Sequence, residues 1–254
     1  MIKKILLLVI VALIFVSGFI FIKKYSFQQI EEKIKDTSLK IETIQETIAP
    51  KPTKILDNGM PNKHLIETVF VPQSPEKNWG QPWQDACEEA SLLTVDLYYK
   101  GVVKIDSQTA KDAILNMINF EETQNYTHDM NNYQMSFVAQ NYLHYQTKII
   151  ENPTIDQINK LVSQDIPVIV TANGKILYQE NKHFKSSGPY YHSLVILGYN
   201  DEKQQFTVHD VGTQFGQYYK YSYSLLLESI HDFPKSGNKE DINDGEKKVL
   251  ILLK

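Results

Sequence analysis

Residues 65–254 are predicted to form an α+β domain, a helical half followed by an antiparallel, strand-rich half. Three observations predict it. Helix start and stop signals recur between residues 85 and 164. From residue 168 onward, β-rich runs separated by polar turns take over. Helices segregated in this way from a sheet belong to the α+β class rather than to an alternating one. The segment is long enough for one domain with a real core.

The first helix is expected over Asp85–Lys100. Asp85 followed three residues later by Glu88 has the form of a capping box; Ala90, Leu92, Leu93, Val95 and Leu97 follow, and Gly101 stops the run. Further helices are expected at Ser107–Phe120, Met130–Tyr145 and Thr154–Gln164. Strands are expected at Val168–Ala172, His192–Tyr199, Gln205–Asp210, Tyr218–Tyr221 and Val249–Leu253, with a short helix at Ser222–His231. The runs His192–Tyr199 and Gln205–Asp210 flank a polar turn and read as a hairpin. With Asp201 at the turn centre, Leu194 faces Val208, Ile196 faces Phe206 and His192 faces Asp210, because antiparallel partners keep a constant sum of residue numbers. No internal repeat is visible.

Three segments precede this domain. Ile5 to Ile22 is an unbroken apolar or small run bracketed by Lys3-Lys4 and Lys23-Lys24, long enough to cross a bilayer, so 1–24 is expected to be an uncleaved transmembrane anchor. A cleaved signal peptide competes, but its core is normally shorter and ends at a small-residue cleavage site. The amine and lysines ahead of the run favour an inside N-terminus, which puts the domain outside the cytoplasm. Over 25–49, Phe27, Ile30, Ile34, Thr37, Ile41, Ile44 and Ile48 alternate steps of three and four. That seam reads either as a coiled-coil stalk that could join copies of the chain, or as an amphipathic helix lying on lipid or on the domain. Pro50 and Pro52 end it, and 50–64 reads as a linker.

The chemistry centres on the only cysteine, Cys87. A lone Cys with His192 and Asp210 far downstream has the form of a thiol nucleophile, its base and the base's orienter. In the first turn of the expected helix, unpaired N–H groups and the macrodipole favour the thiolate, while Glu88 and Glu89 oppose it unless they point outward. A carboxylate on one imidazole nitrogen would leave the other free to take the thiol proton. Gln81, six residues before Cys87, is the candidate oxyanion donor alongside the Cys87 N–H, with Gln73 and Gln84 as rivals.

At these residues the chain resembles the papain-like superfamily, and more narrowly the C-thirty-nine-like cysteine peptidases, relatives of the double-glycine leader peptidases. The matching stretches are Val69-Phe-Val-Pro-Gln-Ser-Pro75 with Trp79, Cys87-Glu-Glu-Ala-Ser91, and His192 to Tyr199 leading to Val208-His-Asp210. The resemblance implies a papain-like fold with Cys87 as nucleophile, His192 as base, Asp210 as orienter and Gln81 as oxyanion donor, acting on a peptide or amide substrate. Two departures stand out: Glu88 takes the place where leader peptidases usually carry glycine, and no ATP-binding P-loop motif occurs. Leader-peptide substrates are therefore not implied.

Other classes fit less well. The lysines are dispersed, arginine is absent and the net charge is −4, which does not suggest nucleic acid. No His-x-x-x-His or His-Glu-x-x-His pair and no second Cys occurs, so neither a metal site nor another cofactor is expected. Two alternatives stay open: an acyltransferase or transglutaminase-like enzyme using the same triad, and a catalytically silent binding module.

Overall fold

The computed structural model describes residues 59–254 apart from Thr127. The expected anchor, stalk and most of the linker lie outside the described residues. Among those described, no helix is long and apolar enough to cross a membrane.

In chain order the elements are β1 (Lys63–Leu65), α1 (Cys87–Tyr99), α2 (Ser107–Thr123), α3 (Asn132–Asn141), β2 (Gln146–Glu151), α4 (Ile155–Val162), β3 (Val168–Asn173), α5 (Gly174–Leu177), β4 (Tyr191–Asn200), β5 (Gln205–His209), β6 (Tyr219–Ser222), α6 (Tyr223–Ser229) and β7 (Lys248–Leu253). Short 3-10 helices occupy Trp83–Asp85 and Lys239–Asp244. The expected α+β class holds: the strands form one antiparallel sheet in the order β2-β7-β3-β4-β5-β6, with β1 pairing the last residues of β4.

Side chains at the helix ends explain where most helices begin. Asp106 accepts the Thr109 N–H at 2.9 Å ahead of α2, and the reciprocal pairs Asn131/Gln134 and Thr154/Gln157 are capping boxes for α3 and α4. Helix α1 is the exception. Its N-cap is Ala86 with no side-chain cap, Asp85 belongs to the 3-10 turn, and Glu88 is buried instead of reaching back, so the expected Asp85/Glu88 capping box is not formed. Its C-terminus does follow the sequence: Gly101, at φ +68°, donates to Tyr98 O while Val102 donates to Leu97 O, a Schellman end. Every residue from Cys87 to Leu97 is buried, so packing on all sides holds this helix, with Ser193 Oγ of β4 donating to Ser91 Oγ at 3.0 Å.

Two expectations are corrected along the chain. The helix expected over Met130–Tyr145 ends at Asn141; His144 takes φ +66°, and Gln146–Glu151 becomes the edge strand β2. Local periodicity misses β2 because its only strand partner, β7, lies about a hundred residues away. The end of the expected linker is also fixed on the sheet: Pro61 O accepts the Tyr199 hydroxyl, Asn62 O accepts the Asp201 N–H, and β1 follows directly.

The hairpin forms in a different register from the one expected. Ile196 faces Val208 rather than Phe206, and Tyr199 faces Phe206. The connection runs through residues 201–204 with Gln204 at φ +53°, and a bulge between Ile196 and Gly198 absorbs one more residue. Beyond the bulge the displacement is two residues. Side chains alternate with period two, so Asp210 keeps its face and reaches His192 from the diagonal position.

Gly198, next to the bulge, leaves no room for a side chain. A Cβ there would lie 2.7 Å from His64 O, a backbone atom of β1. Gly198→Ala is therefore expected to lower unfolding stability by about 1–3 kcal/mol and to increase proteolysis around β1. A urea midpoint equal to that of the wild type would contradict this account.

Candidate active site

Cys87 is the first residue of α1, so its backbone N–H has no partner within the helix. The side chain is only 3% exposed, yet it opens on a cleft of about 440 Å³ that it shares with His192, Gln73, Gln84, Phe184 and Gly212. The structure thus brings Cys87 and His192 to one cleft from opposite halves of the sequence.

His192 sits near the start of β4. Its Nε2 lies 2.8 Å from Asp210 Oδ1, and because an ionised carboxylate only accepts, Nε2 carries the hydrogen. Nδ1 is then the nitrogen left to take a proton. The Phe184 ring packs edge-on against the imidazole, with centroids 5.2 Å apart. Gly212 closes on its other side, where a Cβ would fall 2.6 Å from His192 Cε1. A residue with any side chain would push the ring out of place.

Asp210 is fully buried behind the imidazole and receives four donors. Besides His192 these are the Gly212 N–H at 3.2 Å, Asn181 Nδ2 at 2.9 Å and the Tyr221 hydroxyl at 2.5 Å. Burial alone would raise this carboxyl; the neighbouring imidazole and the hydrogen bonds from His192, Tyr221 and Asn181 outweigh it and hold Asp210 below the usual carboxylate range. Asn181 and Tyr221 carried no signal in the sequence. Tyr221 was expected only as a strand residue, and Asn181 sits in the irregular segment between α5 and β4. His209, one residue before Asp210, is a poor base by contrast. Burial pushes it down to about 3, both ring nitrogens are buried without a hydrogen-bond partner among the described residues, and Phe70 and Tyr218 pack against the ring.

The glutamines are redistributed relative to expectation. Gln81 is exposed, does not line the cleft and donates to Asp85 Oδ2 at 2.6 Å. The 3-10 turn Trp83–Asp85 stands between it and the helix start, which displaces it from the oxyanion position expected from spacing alone. Both rivals do line the cleft. Gln73 is buried, and its amide donates to Trp83 O at 2.9 Å and Gln84 O at 3.0 Å, bracing the turn that presents Cys87. Gln84 Nε2 has only a long contact, 3.4 Å, to Asp85 Oδ2.

The electrostatic setting of Cys87 differs from the one expected for a first-turn cysteine. Glu88 and Glu89 point inward and are buried. Burial, followed by the charge and hydrogen bond of Glu88 and the charges of Asp129 and Glu89, pushes the thiol well above its ordinary range. Cys87 Sγ donates to Glu88 Oε2 at 3.0 Å. In this conformation desolvation and carboxylates outweigh the helix dipole, so the low-pKa thiolate expected from position alone is not what the resting site holds. Lys239 offsets part of the negative charge, lying 3.4 Å from Asp129 and 3.5 Å from Asp85. Among the described residues no group of three His, Cys, Asp or Glu side chains is arranged to hold a metal ion.

The Peptidase_C39 like family model matches residues 66–236, about two thirds of the chain. The chain belongs to that family. Family membership makes it a cysteine peptidase, in agreement with the resemblance carried by the Cys87 and His192 stretches. No curated protein matches it in sequence. Among the solved structures similar to it are these two. One is a candidate C39-like peptidase from Bacillus anthracis, 15% identical with a TM-score of 0.46, over 76% of this chain and 98% of that one. The other is xylellain, a cysteine protease from Xylella fastidiosa, 13% identical with a TM-score of 0.35, over 79% of this chain and 94% of that one.

One feature of this C39-like peptidase is a carboxyl pair behind the nucleophile helix. Glu89 Oε2 and Glu121 Oε1 are buried with no other partner among the described residues, and they bond to each other only if one keeps its proton. Burial, then the Glu121 charge, raises Glu89 well above its ordinary 4.5. A carboxyl raised on folding contributes stability that is complete below its unfolded value and is lost as pH rises through the folded one. Unfolding free energy is therefore expected to fall as pH climbs above about 4.5, and Glu89→Gln, which keeps a neutral donor, should flatten that slope. Denaturant midpoints at acid, neutral and alkaline pH check this. A steeper decline in the variant than in the wild type would refute it.

Proposed function

We propose that this C39-like peptidase hydrolyses peptide bonds through Cys87, His192 and Asp210, and that it works at the outer face of a membrane to which 1–24 anchors it. The observation that carries the catalytic part is the His192–Asp210 hydrogen bond, 2.8 Å long and buried, with His192 and Cys87 opening on the same cleft. In the reaction the Cys87 proton passes to His192 Nδ1 and the thiolate attacks the amide carbonyl carbon. The Cys87 N–H and Gln84, whose amide has only one long contact, bind the oxyanion, while Gln73, both of whose amide hydrogens are already taken, braces the turn. The imidazolium then protonates the departing amine, and water, deprotonated by the same imidazole, hydrolyses the thioester. Asp210 stays ionised throughout, fixing the tautomer and stabilising the imidazolium. An amine acceptor in place of water would make the same acyl-enzyme an acyltransferase, and the masses of the products separate the two reactions.

The catalytic assignment is tested by substitution. Cys87→Ser is expected to fold normally and to lose hydrolysis of a fluorogenic peptide. Asp210→Ala should lower kcat at least about tenfold, with Asp210→Asn retaining part of the activity. Gln81→Ala should be near neutral, whereas Gln84→Ala should cost about 10²–10³ in kcat, the range for losing an oxyanion donor. Equal turnover by Cys87→Ser would sink the assignment.

The location rests on the apolar span Ile5 to Ile22 and its flanking lysines. The full-length chain should stay in the membrane fraction after carbonate washing, and protease added to intact spheroplasts should digest its domain. The dispersed lysines suit an impermeant amine reagent as the accessibility probe. A soluble form beginning near Lys23 would show a cleaved signal peptide. Protection of the domain until lysis would place it inside.

A further inference from the structure

Glu88 stands beside the nucleophile in sequence and faces it in space. One carboxyl oxygen, Oε2, accepts the Cys87 Sγ–H at 3.0 Å, and the other, Oε1, accepts the Met130 N–H at 2.8 Å. Met130 O in turn accepts the hydroxyl of Tyr191, the residue before His192. A buried chain therefore runs from the nucleophile through Glu88 and the Met130 peptide to the strand that carries the base. Cys87, Glu88, Met130 and Tyr191 are all at most 4% exposed, so water does not compete for these bonds.

The triad reading makes no use of this chain, and in one respect the chain opposes it. A thiol that donates to Glu88 is not donating to His192. From the geometry we infer that Glu88 is a positioning residue that keeps Cys87 as a neutral thiol in the resting protein, and that catalysis begins only when Sγ leaves Glu88 and turns to His192. In that step the Sγ–H···Oε2 hydrogen bond breaks, the S–H proton passes to His192 Nδ1, and the thiolate–imidazolium pair forms without any change in the total number of protons. The contact is self-inhibitory: the protein holds its nucleophile back until something entering the cleft favours the turned rotamer. The inference rests on Cys87 being the nucleophile, but its direct readout is the thiol, not hydrolysis.

The groups facing Glu88 all bear on the balance. On α1 these are Cys87 and Glu89; from the segment ahead of α3, Asp129 and the Met130 N–H; from β4, Tyr191; and from the 3-10 helix Lys239–Asp244, Lys239, which pairs with Asp129 and Asp85. Lys239 is the one cation in this set, and its contacts go to the aspartates rather than to Glu88. Glu88 itself is raised by burial and by Asp129, while its bonds to Cys87 and Met130 pull it back toward the charged form.

Glu88→Gln tests the inference because it keeps the shape. The Gln oxygen can still accept the Met130 N–H, while its amide turns an N–H toward sulfur, which favours the thiolate where Glu88 Oε2 accepts the S–H. Alkylation of the only cysteine by iodoacetamide, followed across pH in the folded full-length protein, should move its midpoint down by at least about one unit, a roughly tenfold gain in rate on the acid side. The acid limb of the hydrolysis profile should move in the same direction. Superimposable alkylation profiles, or slower alkylation by the variant, would overturn the inference.

The wild-type protein supplies a second measurement that does not depend on the variant folding. Its ultraviolet thiolate absorbance, taken as the difference from Cys87→Ser, should be missing at neutral pH, and a thiolate already present there would also overturn the inference. His192→Ala run in parallel separates the two readings. If it leaves hydrolysis unchanged, the triad assignment fails, whereas the inference about Glu88 stands or falls on the alkylation profiles alone.

Discussion

The buried carboxylate of Asp210 is the constraint from which the architecture of the site follows. An ionised carboxylate without partners in a protein interior costs several kcal/mol even after relaxation. Here four donors meet it, and they come from separate parts of the chain: His192 on β4, Tyr221 on β6, Asn181 from the segment before β4 and the N–H of Gly212 beyond β5. Satisfying that one charge therefore ties β4 to β6 and fixes the two loops that form the walls of the cleft. It also fixes the imidazole tautomer, because a group that can only accept leaves the hydrogen on Nε2. Stability and chemistry draw on the same four hydrogen bonds.

On the other side of the cleft the electrostatics run against the reaction. The first turn of α1 offers free N–H groups and a positive helix end, which by themselves would favour a thiolate. Two glutamates in that same turn are buried rather than solvated, and Asp129 lies close by, so the thiol is pushed up and its hydrogen directed to Glu88. Burial decides the contest. The dipole contributes at most about 2 kcal/mol in favourable, partly buried geometry, whereas a desolvated anion next to carboxylates is opposed by more than that. Lys239 sits over the two aspartates of this region and limits the accumulated charge without touching the sulfur. The Cys87 thiol thus opens on the cleft with its ionisation opposed by its surroundings.

Much of this was legible in the residues. Gly101 ends α1 with the positive φ that a glycine at that point announces, and Thr154 with Gln157 caps α4 as the pattern Ser/Thr-x-x-Glu/Gln requires. The β-rich runs around Asn200-Asp201 do form a hairpin, and His192 does meet Asp210. The register that suggested the meeting was displaced, however, and the two still met because a slip of two residues keeps the face. Gln81 is held away from the cleft because the 3-10 turn Trp83–Asp85 intervenes between it and the start of α1, which spacing along the chain does not reveal. Strand β2 escaped notice because half-buried edge strands carry weak periodicity and its partner is the last strand of the domain.

By itself the sequence determined what local chemistry can determine: the α+β class, the single thiol, the histidine and aspartate that a hairpin brings together, and the apolar and heptad patterns ahead of the domain. Those readings depend on residue type and short-range spacing, which survive without a folded chain. Only the tertiary structure decided which glutamines reach the cleft, that Asn181 and Tyr221 support Asp210, that Gly212 must be bare against the imidazole, and that Glu88 and Glu89 turn inward. Each of these depends on the approach of segments distant in the chain, and on burial, which changes the energy of a charge far more than any neighbour along the sequence does.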